Sequence, residues 1–266
     1  MLASQRQILH RREIKQRIKE DLGFWIALRF LTIIPFRGEP NSREPGRSLS
    51  YFPIVGLVIG GILFGIDCGM SLILPSMVVN ALLIVVLIIL TGALHLDGFI
   101  DTCDGIAGDS PQRRLEIMSD SQVGAFGIVG ACSLLLVKYA TLLSLPDTLR
   151  MAALLLMPTL GRWAMVYAIF AFPYARKASG LGYAFKQQAT WQRLTMATLV
   201  ALVAVAVLTR WQGMVLIGGV WLIILGIGCL LRSRLGGLTG DTYGAVNELT
   251  EVLVLILLPL VANIGD

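Results

Sequence analysis

Asp97, Asp101 and Asp104 stand four and three residues apart in His95-Leu96-Asp97-Gly98-Phe99-Ile100-Asp101-Thr102-Cys103-Asp104-Gly105, directly after a long apolar run over 78–94. On a helix these spacings put all three carboxylates on one face. Carboxylates beside a membrane-length apolar segment are costly to place, so they mark a candidate functional site. Three like charges on one face repel unless a cation lies among them, and hard oxygen ligands suit Mg²⁺. Glu116 and Asp120 repeat the four-residue spacing farther along. If the flanking apolar segments pack as a hairpin, Asp120 returns near the first three. Four such carboxylates could hold one or two metal ions and support displacement at phosphorus. The expected metal ligands are therefore Asp97, Asp101, Asp104 and Asp120. Arg113 and Arg114 could neutralise a phosphate, while Asp109 and Glu116 also read as solvated loop charges.

Other residues could complete such a site. His95 could act as a base, bond a substrate or simply pack. Arg162 lies deep in an apolar segment, where it reads as a phosphate or carboxylate clamp or as an internal ion pair that orients helices. Lys138 and Asp67 are also intramembrane by position; Lys138 could snorkel, and Asp67 has no assigned role. In the segment 236–251, glycines at 236, 237, 240 and 244 would let backbone approach a ligand. Asp241 reads there as a ligand-binding residue or a helix N-cap, with Glu248 and Glu251 opposing Arg232 and Arg234. The piece 176–182, with Arg176, Lys177 and two glycines, reads as a phosphate-contacting loop or a basic turn. The chain has no Walker loop, no dinucleotide fingerprint and no Ser/His/Asp nucleophile arrangement.

The elements that must carry these residues are membrane helices. Of 266 residues 56% are hydrophobic and only 15% are charged, and the mean hydropathy is +0.76. That is too apolar for an ordinary soluble domain, and the apolar residues fall in blocks of spanning length. The expected fold is all-α, a polytopic transmembrane bundle of about seven spans plus an N-terminal interfacial helix. A basic extension over 1–21 precedes one integral membrane catalytic domain over 22–266. Residues 22–36 read as an interfacial or re-entrant helix, and 37–48 as a polar loop. The spans run near 49–74, 77–96, 123–145, 149–172, 194–208, 213–231 and 249–264. Glycines 56, 60, 61 and 65 should allow close helix packing in the first. Cys68, Cys132 and Cys229 read as packing residues, and Cys103 as lying between ligands rather than among them. No signal-peptide pattern opens the chain.

The net charge of +5 reads as loop charge that orients the chain, not as a nucleic-acid footprint. Ten Lys/Arg precede the first span, two lie in the acidic loop, four at 176–193 and two at 232–234. Only Arg150 and Arg210 fall on the other side. By the positive-inside rule, the N-terminus and the acidic loop face the cytoplasm. A cation transporter is the rival class. It should place acids at mid-membrane with matching features on the far side, whereas here the acids crowd one face and the outer loops are nearly bare. That pattern favours an enzyme acting on cytosolic substrates.

Several stretches together resemble the adenosylcobinamide-GDP ribazoletransferases, or cobalamin synthases. They are Phe30-Leu31-Thr32-Ile33-Ile34-Pro35, Tyr51-Phe52-Pro53-Ile54-Val55-Gly56-Leu57, the run from Thr91 to Gly105, Arg114 to Gly124, and Gly237 to Ala245. The resemblance extends from about residue 24 to 255, in order and with fitting spacing. Ala93 stands where that family usually has glycine, and Ile100 where it usually has alanine. The resemblance implies that the 3′-hydroxyl of α-ribazole, or of its 5′-phosphate, attacks the β-phosphate of adenosylcobinamide-GDP. GMP leaves and adenosylcobalamin or its 5′-phosphate forms, in the last steps of vitamin B12 biosynthesis. It also implies Mg²⁺ and residence in the cytoplasmic (inner) membrane. In that frame Asp97, Asp101, Asp104 and Asp120 hold Mg²⁺, and Asp120 or His95 takes the hydroxyl proton. Arg162, Arg176, Gly240 and Asp241 hold phosphates or corrinoid amides. Oligomerisation and docking to other corrinoid-assembly enzymes are left open. Asp101-x-x-Asp104-Gly-x-x-Ala107 also resembles the start of the CDP-alcohol phosphotransferase motif, whose reaction is analogous. Gly108 replaces that motif's arginine, so a phospholipid enzyme of that kind is the alternative reading.

Overall fold

The computed structural model describes residues 23–35, 45–176 and 180–262. The basic extension at 1–21, most of the polar loop at 37–48, and Lys177 to Ser179 lie outside the described residues. The segment expected to form the interfacial helix is helical over residues 23–31, here α1. A 3₁₀ turn, Pro45–Tyr51, then leads into α2, Phe52–Met70. Pro53 sits in the first turn of α2, where its missing N–H costs nothing. There follow α3 (Ser76–Leu90), α4 (Leu94–Ile106), α5 (Pro111–Ile117), α6 (Ala125–Leu143), α7 (Asp147–Ala171), α8 (Leu181–Gln188), α9 (Trp191–Thr209), α10 (Gln212–Leu235) and α11 (Gly240–Ala262). Among the described residues the only β-pairing is an isolated bridge between Tyr174 and Leu238.

Six of these helices are long and apolar enough to cross a membrane, and the bent pair α3–α4 makes a seventh if counted as one span. The chain is a multi-pass membrane protein, as its composition requires. Two boundaries differ from the sequence expectation. The second span, expected to run straight over 77–96, breaks after Leu90, and α4 leaves at 91° to α3. Gly92 and Ala93 make the break, both with left-handed backbone at φ +58° and +57°. The acidic segment is thus a helix of its own. The last span begins nine residues earlier than expected, at Gly240, so Asp241 and Glu248 lie on a helix and not in a loop.

The most enclosed helix is α7, and α2 packs along it at two glycines. A Cβ on Gly56 would come within 2.5 Å of the Pro158 carbonyl oxygen, and one on Gly60 within 2.6 Å of that of Leu154. Gly61 and Gly65 meet nothing within 4 Å. Half of the glycine-rich pattern therefore serves close approach. Asp67, unassigned from the sequence, ties the far end of this pair. Arg150 of α7 donates to its two carboxylate oxygens at 2.6 and 2.8 Å, and to Asn80 Oδ1 of α3 at 2.7 Å. A bidentate geometry of this kind is among the stronger charge-assisted contacts.

Candidate active site

The acidic helix α4 is held against the start of α11 by two glycines. A Cβ on Gly98 would lie 2.6 Å from the Asp241 carbonyl oxygen, and one on Gly244 would lie 2.9 Å from that of His95. Neither position accepts a side chain without moving a backbone, so the two helices touch along this line. Thr239 caps α11 reciprocally. The Thr242 N–H donates to Thr239 Oγ1 at 3.3 Å, and the Thr239 N–H donates to Thr242 Oγ1 at 2.7 Å. The N-cap reading of Asp241 is thereby corrected: Thr239 does that work, and the Asp241 carboxylate accepts from Arg176 at 2.8 Å and from the Thr239 hydroxyl at 3.3 Å.

Arg176 reaches Asp241 because two linkers are joined. The Leu238 N–H donates to the Pro173 carbonyl and the Ala175 N–H to that of Leu238, both at 2.8 Å. Arg176 also donates to the Met118 carbonyl at 3.2 Å, bringing the end of α5 into the same corner. Lys186 of α8 donates to the last carbonyls of α7, Ile169 at 2.9 Å and Phe170 at 2.8 Å, and so closes that helix. Burial lowers the Lys186 ammonium below its ordinary pKa and raises the nearby Tyr174 phenol above its own.

The four aspartates expected to share a metal have different surroundings. Asp97 is exposed and Asp101 half-buried on one face of α4, and neither makes a hydrogen bond or ion pair among the described residues. Asp101 feels the charges of Asp97, Asp241 and Arg176, so these groups form one electrostatic cluster. Asp104 is buried, and its oxygens accept the Gly124 N–H at 2.8 Å and the Gly127 N–H at 2.7 Å. It caps the N-terminus of α6, where a carboxylate is favoured by the free N–H groups and the helix dipole. Asp120 is exposed in the turn after α5, where its Oδ1 accepts the Gln122 N–H at 3.0 Å. Glu116 pairs with Arg113 at 3.1 Å on the open surface, as a solvated charge would. Arg114 donates to the Arg234 carbonyl at 3.0 Å.

Among the described residues no three His, Cys, Asp or Glu side chains gather into a ready-made metal cage. Mg²⁺ does not need one. It takes one or two carboxylates, keeps several waters and completes its shell with substrate phosphates. The uncommitted carboxylates of Asp97 and Asp101 fit that donor chemistry.

Arg162 lies elsewhere. It is fully buried in α7, and its Nη1 donates to Glu251 of α11. Lys138 of α6 donates to Glu248 and to Glu251, each at 2.7 Å. Two cations and two anions thus form a neutral buried quartet across three helices, with Asn247 bonded to Glu251 at 3.1 Å. Of the two sequence readings of Arg162, the internal ion pair is the one seen, and its guanidinium is shut off from any phosphate. Glu248 and Glu251 do not face Arg232 and Arg234, and Lys138 does not snorkel. The i, i+3 spacing of Glu248 and Glu251 was visible in the sequence, but nothing in it named their partners.

His95 is buried between the quartet and a cavity of about 190 Å³, and neither ring nitrogen has a hydrogen-bond partner among the described residues. Asp97, Gly240, Asp241 and Tyr243 line the same cavity, and α1, α2 and α8 contribute Phe30, Phe52 and Phe185. These phenylalanines were not singled out from the sequence, because separated aromatics on three helices read as ordinary core. The structure therefore brings together His95, Asp97, Asp101, Arg176, Gly240 and Asp241. It leaves Arg162 in the quartet and Asp104 at a helix cap.

Comparison with known proteins bears on what such a corner does. The family model for cobalamin-5-phosphate synthase matches residues 23–259. A protein of Desulforamulus reducens named adenosylcobinamide-GDP ribazoletransferase is 41% identical over 237 residues, 88% of this chain and 95% of its own length. Proteins of the same name from Roseiflexus sp. and Desulfitobacterium hafniense are 40% and 43% identical; the matches cover 89% and 87% of this chain, and 88% and 94% of their own lengths. No solved structure is a significant match.

Proposed function

The chain belongs to the cobalamin-5-phosphate synthase family, and on that premise we propose that it joins adenosylcobinamide-GDP to α-ribazole, or to its 5′-phosphate. The ribose 3′-hydroxyl oxygen bonds to the β-phosphorus, the bond from that phosphorus to GMP breaks, and adenosylcobalamin or its 5′-phosphate forms. The observation that carries the reading to these residues is the pair of uncommitted carboxylates, Asp97 and Asp101, in one electrostatic cluster with Asp241 and Arg176 in a chain that matches the family over residues 23–259.

In this proposal Asp97 and Asp101 hold Mg²⁺, which when bound supplies Lewis-acid stabilisation of charge on the diphosphate. Arg176 holds Asp241 beside them, and Asp241 receives the proton of the attacking hydroxyl. His95 faces the same cavity but serves as part of its wall. Asp104 is not given a ligand role, because both its oxygens already accept backbone N–H groups, and Asp120 is left outside the cluster that Asp101 feels, with one oxygen on the Gln122 N–H. The site opens to the cytoplasm, as the charge bias favours, and the membrane is the cytoplasmic (inner) one.

The test is an assay of the purified chain in detergent with adenosylcobinamide-GDP, α-ribazole and Mg²⁺, following GMP release. Turnover should stop when the metal is chelated and return when Mg²⁺ is restored. Release of CMP from a CDP-activated alcohol, without reaction of the corrinoid, would favour the phospholipid alternative and overturn the proposal.

A further inference from the structure

The cavity beside Asp97 and Asp241 has two unlike walls. Phe30, Phe52 and Phe185 form an aromatic cluster with ring centroids 4.9–5.9 Å apart. Towards α4 and α11 the lining includes His95 and Tyr243, both buried, and neither the His95 ring nitrogens nor the Tyr243 hydroxyl has a hydrogen-bond partner among the described residues. A buried polar group without a partner is costly. Two of them on one cavity indicate that a ligand supplies what the protein does not. The volume is about 190 Å³, and a dry cavity of about 150 Å³ takes a single benzene ring. A flat bicyclic ring system is the matching size class.

Resting on the function proposed above, we infer that this cavity holds the base of the acceptor nucleoside, the dimethylbenzimidazole of α-ribazole, with its ribose directed to Asp97 and Asp241. The other flat heteroaromatic bases in the reaction are the guanine and the adenine of the adenosylated, GDP-activated substrate, and adenine carries an amino group and several ring nitrogens around its edge. Guanine carries an amide and an amino group around its edge, which phenylalanines would leave unpaired. Dimethylbenzimidazole presents methyl groups and, once glycosylated, a single bare ring nitrogen. A neutral imidazole has one N–H to donate, and His95 supplies it to that nitrogen. Apolar walls with few, well-placed polar groups are the usual composition of such a subsite. His95 is thereby a positioning residue, distinct from the proton acceptor expected from the sequence.

The test compares both Michaelis constants in two variants and adds a binding measurement. Leu181→Trp fills the cavity from a half-exposed position on α8 and leaves the buried helix contacts in place. Phe185→Leu removes one aromatic wall. Loss of a stacking partner should raise the KM for α-ribazole about tenfold, with the KM for adenosylcobinamide-GDP unchanged. Equilibrium dialysis of labelled α-ribazole against the purified chain should show the same weakening without turnover. A shift in the KM for adenosylcobinamide-GDP instead would assign the cavity to a base of that substrate and overturn the inference, as would no change in either constant. Failure of the wild-type chain to release GMP would overturn the functional reading itself, a result separable from both.

Discussion

Three aspartates that look alike in the sequence do different work, and their hydrogen bonds divide them. Among the described residues Asp97 and Asp101 have no partner for their oxygens, while Asp104 accepts two N–H groups at the start of α6. Removing the Asp101 charge should therefore affect chemistry alone. Asp101→Asn is expected to abolish GMP release while membrane insertion and thermal stability in detergent stay as in the wild type. Asp104→Ala should behave oppositely in stability, costing about 1–2 kcal/mol because two helix N-terminal donors lose their acceptor. Melting curves for the two variants decide this. A destabilised Asp101→Asn, or Mg²⁺-dependent turnover in it near the wild-type rate, would end the assignment of that residue to the metal.

The break between α3 and α4 is the element that lets the acidic helix meet α11, and the sequence only half disclosed it. Apolar length marked a span near 77–96, but the turn depends on two successive left-handed residues, and only Gly92 is suited to that conformation. Ala93 adopts φ +57° at a cost that a glycine would not incur. Ala93→Gly should therefore stabilise the protein, by about 1 kcal/mol, read as a rise in detergent melting temperature with turnover retained. A fall in that temperature would show that the alanine side chain is needed at the bend. The other long helices were legible because 18 or more apolar residues admit few alternatives. The quartet of Lys138, Arg162, Glu248 and Glu251 was not. Lys138 and Arg162 were visible as anomalous and Glu248 and Glu251 read as loop acids, but pairing depends on the relative register of α6, α7 and α11, and a single sequence does not carry that. The same reason hid the cavity, whose aromatic wall is drawn from three helices far apart in the chain.

At the scale of the whole molecule, everything proposed to do chemistry lies at one end of the bundle. The cap of α11, the α5 corner, Arg176 and the mouth of α4 gather there, and the Asp67–Arg150 pair marks the opposite end. The orientation proposed above has the first end in the cytoplasm, because the basic residues flank it. Both substrates are polar and phosphorylated or nucleoside-like, so a site on the far side would have no access to cytosolic nucleotide chemistry. The orientation can be read directly in a chain whose native cysteines, Cys68, Cys103, Cys132 and Cys229, are replaced by alanine. Asp109 and Ser71 are both exposed, the first between α4 and α5 and the second in the turn between α2 and α3. A membrane-impermeant maleimide should label Asp109→Cys in inverted vesicles but not in intact spheroplasts, and Ser71→Cys in spheroplasts only. The reverse pattern would place the carboxylates of α4 outside the cell and remove the topological basis for a cytosolic acceptor nucleoside. Equal labelling of one position from both sides would show two insertion orientations, and the single-orientation bundle would be wrong. Because the two positions lie at opposite ends of α3–α4, the expected result would also establish that the chain crosses the membrane between them and brings the end of α4 to the cytoplasmic face.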